Sequence, residues 1–150
     1  MLETDTFNMW KEVSFPEKVP QHRGTPRLYI DAQRGRLTFN VNACALINEL
    51  LFYDNLFVLE KVDDSGTKYV GFRFLNRQTD TSFVQNKFKV KKIFSAKDKN
   101  RIISCNIYSK ILAAYLVRQI GNDSQCTKIK VEKSDATMLT IKCRSKADAE

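Results

Sequence analysis

The sequence is poor in the residues that staple, bend or break a chain, and each shortage removes a class of explanation. There is one histidine, His22, and the four cysteines Cys44, Cys105, Cys126 and Cys143 form no C-x-x-C pair, so no local zinc pattern can be assembled. All four are expected to be free, buried thiols acting as small apolar residues, Cys44 within a helix and Cys105 at a strand end. A lone histidine leaves a nucleophilic triad no second choice of base, and G-x-S-x-G, H-E-x-x-H and Walker-type loops are missing. Glu60, Asp63 and Asp64 fall in or beside a predicted turn and read as solvated carboxylates. The expectation is a chain that is not an enzyme and carries no metal or cofactor.

No apolar run approaches the roughly 18 residues of a membrane span, and Met1 is followed by Glu3 and Asp5 rather than by a basic and then an apolar stretch. The expected location is cytoplasmic, with no membrane partner. The three prolines, Pro16, Pro20 and Pro26, all precede residue 27, where each fixes a dihedral and removes a donor. Residues 1–26 therefore read as an extended arm. Phe7, Trp10 and Phe15, with Met9 and Val13, give it an apolar surface that either packs across the domain or docks on a second copy or another protein.

What is present fits one soluble domain: 150 residues, 43% hydrophobic and 28% charged, enough to bury roughly two-thirds of the surface exposed in the unfolded chain. Twenty-five Lys and Arg against 17 Asp and Glu leave a net charge of +8, which favours an anionic partner through long-range attraction and counterion release.

The alternation of Leu28 and Ile30 with Arg27, Tyr29 and Asp31 predicts a half-buried strand, and Arg36 to Phe39 a second one across the Ala32–Gly35 turn. Asn40 is a plausible N-cap for a helix from Val41 to Leu51, whose Ala43, Leu46, Ile47, Leu50 and Leu51 lie on one face. Residues 57–62 and 68–74 flank an Asp- and Gly-bearing turn and predict a hairpin. The second half repeats the order. Arg101 to Asn106 reads as a strand and Ile107 to Ile120 as a helix stopped by Gly121; residues 127–132 and 138–142 then form a hairpin across 133–136. Sliding the first half onto the second until Arg36 meets Arg101 also brings Leu46 onto Ile111; after a slip of four, Phe72 meets Ile141. The predicted organisation is an arm (1–26), a first repeat (27–75), a linker (76–86), a second repeat (87–145) and a tail (146–150).

Two basic groups stand out. Lys87, Lys89, Lys91, Lys92, Lys97, Lys99 and Arg101 are opposed in their window only by Asp98. A strand there would send Phe88 and Val90 inward and the lysines outward, to meet phosphates or to deter edge-to-edge aggregation. Arg23, Arg27, Arg34 and Arg36 surround the Arg34-Gly35-Arg36 turn, and a guanidinium fork suits phosphate or a guanine edge. Tyr29, Tyr53 and Tyr108 are able to stack on unpaired bases, although aromatics at such apolar-rich positions more often fill a core.

The segment Asp31-Ala32-Gln33-Arg34-Gly35-Arg36-Leu37-Thr38-Phe39, followed by a helix and a hairpin, resembles the AbrB and SpoVT-type DNA-binding half-barrel. Two such units in one chain are similar in layout to tandem, MraZ-like members. The chain departs from that family at Asn40, where proline is common, at Asn42 to Cys44, where an early helical arginine is common, and at Asn100, which replaces the glycine. The two-part pattern also resembles small proteins of Bacteroides-type bacteria to which no activity attaches.

Together these readings predict an α+β, strand-dominated fold. Two pseudo-symmetric β-α-β-hairpin repeats would share one core, barrel-like or built of paired sheets. The resemblance implies a transcriptional regulator on duplex DNA, with Arg27, Arg34, Arg36, Lys87, Lys89, Lys91, Lys92, Lys97, Lys99, Arg101 and Lys110 as contacts. The alternatives are a protein-interaction or accessory module using Phe7, Trp10 and Phe15, or a single-stranded nucleic-acid binder.

Overall fold

The computed structural model describes residues 24–76, 84–121 and 126–145. Phe7, Trp10 and Phe15 of the predicted arm, and Arg23, lie outside the described residues. Among the described residues nine strands occur in chain order: β1 (Arg27–Asp31), β2 (Arg36–Phe39), β3 (Tyr53–Val62), β4 (Thr67–Asn76), β5 (Phe88–Lys89), β6 (Lys91–Phe94), β7 (Ile102–Tyr108), β8 (Cys126–Asp135) and β9 (Met138–Ser145). A short helix α1 (Val41–Cys44) follows β2, and a longer helix α2 (Lys110–Ile120) follows β7.

All pairings are antiparallel, and the strands run β5-β3-β4-β9-β8-β1-β2-β7-β6. Hairpins from the earlier and later parts of the chain thus alternate: β3–β4, β9–β8, β1–β2, β7–β6. The two ends of this sheet meet in one run of chain. Phe88 and Lys89 pair with Leu56 and Asn55 of β3, and the Val90 N–H donates to the Asp54 carbonyl (2.8 Å). Immediately after, Lys91 and Lys92 pair with Asn106 and Cys105 of β7. The sheet is therefore a nearly closed barrel, which leaves few unpaired strand edges.

Strand alternation fills its interior. Leu28 and Ile30, Leu37 and Phe39, Leu56, Val70, Phe72 and Phe74, Cys105 and Ile107, Val131, and Leu139, Ile141 and Cys143 are all buried. The Phe39 and Phe72 rings meet edge to face at 5.3 Å, a favoured aromatic geometry. Leu112, Ala113 and Leu116 of α2 join the same core, as do Ala43, Cys44, Ile47 and Leu50.

Asn40 caps α1 as its position predicts, accepting from the Ala43 N–H (2.9 Å), and its amide donates to the Thr25 carbonyl (3.0 Å). The helix is shorter than the periodicity predicts. After Cys44 the chain makes tight turns, the Leu46 and Ile47 N–H groups donating to Ala43 and Cys44, and Glu49 takes left-handed dihedrals (φ 57). Leu50 stays buried beyond that break, and the chain enters β3 at Tyr53 instead of continuing the helix. Ser109 caps α2 through the Leu112 N–H (3.1 Å), and Gly121 ends it at φ 75.

Three of the four cysteines are buried; Cys126, at the start of β8, is exposed, which corrects the expectation that all four are core residues. Burial is decided by strand parity, and Cys126 shares the outward parity of Lys128 and Lys130.

Candidate nucleic-acid interface

Because Leu28, Ile30, Leu37, Phe39, Cys105 and Ile107 point inward, the residues between them point outward. Register then dictates their neighbours. Tyr29 lies opposite Lys128 on β8 and opposite Thr38 on β2; Thr38 lies opposite Asn106 on β7, which lies opposite Lys91 on β6. One row thus reads Lys128, Tyr29, Thr38, Asn106, Lys91 across five strands. A second row reads Cys126, Asp31, Arg36, Tyr108, and Arg27 faces Lys130 beyond them. The Thr38 hydroxyl donates to Asn106 Oδ1 (2.8 Å), joining the middle of the face. Between β8, β1 and β2 lies a groove of about 430 Å³ lined by Tyr29, Asp31, Arg36, Thr38, Cys126 and Lys128.

The charge of this face is nearly uniform. Asp31 is the carboxylate within it, and it is committed locally: it accepts from the Arg34 N–H (3.0 Å) and sits 3.8 Å from Arg34 Nε, holding the turn. Glu132 follows Lys130 where β8 leaves β1. Arg27, Arg36, Lys89, Lys91, Lys128 and Lys130 make no ion pair among the described residues.

Basic turns mark both ends of the β2–β7 pair. At one end stand Arg34, Arg36 and Lys110. The Ser109 N–H donates to the Gly35 carbonyl (2.8 Å), so the first turn of α2 rests on the Arg34-Gly35-Arg36 turn. At the other end the β6–β7 turn carries exposed Lys97, Lys99 and Arg101. Ser95 Oγ accepts there from the Lys97 N–H (3.2 Å), and the Arg101 N–H donates to the Asp98 carbonyl (3.0 Å).

Lys92 does not belong with the outward lysines. Its ammonium donates to the Leu51 carbonyl (2.7 Å), the Tyr53 carbonyl (3.1 Å) and Asp54 Oδ1 (3.0 Å), and its side chain is 11% exposed. Parity explains the correction: opposite Cys105, Lys92 faces inward and satisfies the chain where it enters β3. Lys89 and Lys91 face outward as predicted, on the strand that joins β3 to β7. Lys87 is exposed before β5.

Tyr29 and Tyr108 are also outward and exposed, against the general expectation for such positions, while Tyr53 packs on Phe74 (6.5 Å). Lys128 and Lys130 join the face although the sequence reading does not single them out. Their alternation with Thr127, Ile129 and Val131 is the same signal as in Lys87–Lys91, but its place beside Arg27 depends on a pairing between the first strand and the last hairpin.

A different cluster surrounds Glu60 on β3. The Tyr115 hydroxyl donates to Glu60 Oε2, and Lys68 Nζ lies 3.0 Å from the same oxygen. These two partners hold the Glu60 carboxyl below the ordinary carboxylate range, while burial, then the bond to Glu60, pushes Tyr115 above the usual phenol range. At the β3–β4 turn Asp63 accepts from the Ser65 and Thr67 N–H groups (2.9 and 3.0 Å), the role of a turn residue. Among the described residues no group of His, Cys, Asp and Glu is placed to hold a metal ion, and no helix is long and apolar enough to cross a membrane. Comparison with family models, curated proteins and solved structures finds no match to this chain.

Proposed function

We propose that this protein binds duplex DNA across the outer face of β1, β2 and β7, as a regulator whose chain is a duplicated unit of the AbrB and SpoVT type. Two pairings support the duplication. The displacement along the chain that carries Thr38 onto its own partner Asn106 also carries Leu37 onto Cys105 and Phe39 onto Ile107. The displacement that carries Gly71 onto its partner Thr140 likewise carries Val70, Phe72 and Phe74 onto Leu139, Ile141 and Cys143. Any antiparallel pair has such a local relation; what favours a duplication is that the two displacements, from Thr38 to Asn106 and from Gly71 to Thr140, agree to within one residue, as a single approximate dyad requires. In this reading Arg36 corresponds to Ser104 rather than to Arg101, because Arg101 closes the β6–β7 turn.

The observation that carries the DNA reading is the pair of basic turns at opposite ends of one cationic face. From Arg101 to Tyr108 the strand covers about 24 Å at a rise of ~3.4 Å per residue. The two turns therefore reach the backbones on either side of a major groove about 12 Å wide, with Arg36 and Thr38–Asn106 between them. Phosphate contacts dominate affinity in such an arrangement, and Arg34 and Arg36 are its candidates for base contact.

The test is anisotropy of a labelled duplex of about two helical turns at several salt concentrations. Binding should weaken steeply with salt, and Arg36→Ala and Lys91→Ala should each lower the slope of log K against log salt by about 1. No binding at low salt, or a slope untouched by both substitutions, removes the reading. Exposed Tyr29 and Tyr108 favour a second reading, single-stranded nucleic acid stacked on the sheet. It replaces the first if an unpaired oligonucleotide displaces the duplex at lower concentration and Tyr108→Ala abolishes that preference.

A further inference from the structure

β3, the segment leading into β5 and helix α2 line a groove of about 560 Å³. That lies within the range of small-molecule sites, roughly 300–1,000 Å³. Phe57, Val58, Phe88 and Leu112 form its apolar floor, and Leu59 and Ile111 stand at its mouth. Ile111 is 83% exposed, the most solvent-accessible large apolar side chain among the described residues. An isoleucine so placed on an amphipathic helix is accounted for by packing neither on its own core nor on a neighbouring strand.

The polar groups of the groove differ in their availability. Glu60 Oε2 receives both the Tyr115 hydroxyl and Lys68 Nζ (3.0 Å), so its charge is compensated within the fold. Arg118, one turn beyond Tyr115 on the same helix, lines the groove, is exposed, and has no ion pair among the described residues. The groove thus offers an oily floor, a neutralised carboxylate and one uncompensated guanidinium at its rim. A guanidinium fork matches a carboxylate in bidentate fashion.

We propose that this groove is a binding site for an amphipathic monoanion, a small molecule with an unbranched or ring-bearing apolar body and one carboxylate, the body lying on Phe57, Val58, Phe88 and Leu112 and the carboxylate on Arg118. The groove shares no lining residue with the one between β8, β1 and β2, and the proposal does not depend on the nucleic-acid assignment.

Decanoate is the probe, titrated into the full chain by calorimetry, with decyltrimethylammonium as the cationic match and octane-saturated buffer as the neutral one. The expected result is one decanoate per chain and no comparable binding of the cation. Arg118→Glu and Ile111→Asp change exposed positions, so thermal unfolding should stay near the parent value while decanoate affinity falls at least tenfold in each. Equal binding of the anionic and cationic probes, or an Arg118→Glu variant that binds as the parent does, overturns the proposal. It also falls if the parent ignores decanoate while Trp10→Ala binds it, since the chain's own amino-terminal segment then holds the groove. Absence of binding together with a halving of molecular mass in Ile111→Asp assigns the groove to a second copy instead.

Discussion

Replacing Gly35 by alanine tests how tightly the basic turn is held to α2. Gly35 sits at φ 69, where a side chain is strained, and a Cβ built on it would lie 2.4 Å from Lys110 Cγ, 2.9 Å from Lys110 N and 3.0 Å from Lys110 Cα. The lysine stem can swing aside; the backbone of the helix's first residue cannot, without breaking the 2.8 Å bond from Ser109 N–H to Gly35 O. Left-handed dihedrals cost a non-glycine residue about 1–2 kcal/mol, and forcing a methyl into packed backbone adds about 1–3 kcal/mol. The total of about 2–5 kcal/mol is a large share of the roughly 5–15 kcal/mol that holds a domain folded. In urea, with a slope near 2 kcal/mol per molar, the midpoint should drop by about 1–2.5 M with the slope unchanged. Gly66→Ala is the control: its φ of 85 carries the same backbone strain, but at the tip of the β3–β4 hairpin, beside exposed Asp64 and Ser65. It should lose only about 1–2 kcal/mol. Equal midpoints for the two variants would refute the claim that α2 bears rigidly on the turn.

Lys92→Ala should destabilise by about 2–4 kcal/mol, because two carbonyls and Asp54 lose a shared donor; Lys89→Ala should be near neutral, and a chemical-denaturation comparison in which the two match would contradict the inward placement of Lys92. Stability should also fall at both ends of the pH scale. Tyr115 and Lys68 depress Glu60, and the Thr137 N–H and Arg73 depress Asp135, so what these carboxylates add is complete above pH 4.5 and 3.8 respectively and is lost as pH falls through their lowered values. Tyr115 is raised, so its contribution is complete below pH 10 and is lost as pH rises beyond it. Melting temperatures from pH 8 to 11 should therefore decline less in Tyr115→Phe than in the parent, and parallel curves would sink this assignment. Finally, a thiol reagent at pH 8 should modify Cys126 quickly and the other three only on unfolding. Cys44 is buried with its Sγ donating to the Phe39 carbonyl (3.5 Å), and burial raises Cys143. Rapid labelling in a Cys126→Ser variant would count against this.

Local chemistry is legible where one residue type suffices to set a local geometry. Asn40 as N-cap, Gly121 as stop and the Asp63–Gly66 turn each depend on neighbours within a few positions, and each stands where its type predicts. The helix beginning at Val41 falls short of its predicted end although Ile47, Leu50 and Leu51 keep a helical spacing: tight turns after Cys44 and left-handed Glu49 still bury Ile47 and Leu50, while Leu51 is left exposed. The basic site is legible in part. Strand parity puts Arg36, Lys89 and Lys91 outward, but the company they keep is set by ladders between remote strands: β8 brings Lys128 beside Tyr29, and β7 brings Tyr108 beside Arg36. Lys92 keeps the inward parity of Val90, but as a lysine directly after Lys91 it reads as part of the outward row, and a short run of basic and apolar letters does not reveal the carbonyls and Asp54 that receive it.

The alternation of early and late hairpins round the barrel has a consequence for how the protein is made. Leu28 finds Ile129 as its neighbour, and Phe72 finds Leu139, so the opening strands emerge from the ribosome long before the partners that will shelter them. Neither half can assemble ahead of the other as a finished unit, and such remote pairings make for slow, all-at-once folding. Two separately synthesised fragments divided between β4 and β5 would each remain unstructured and would regain the native spectrum only when mixed, with a rate that climbs with concentration.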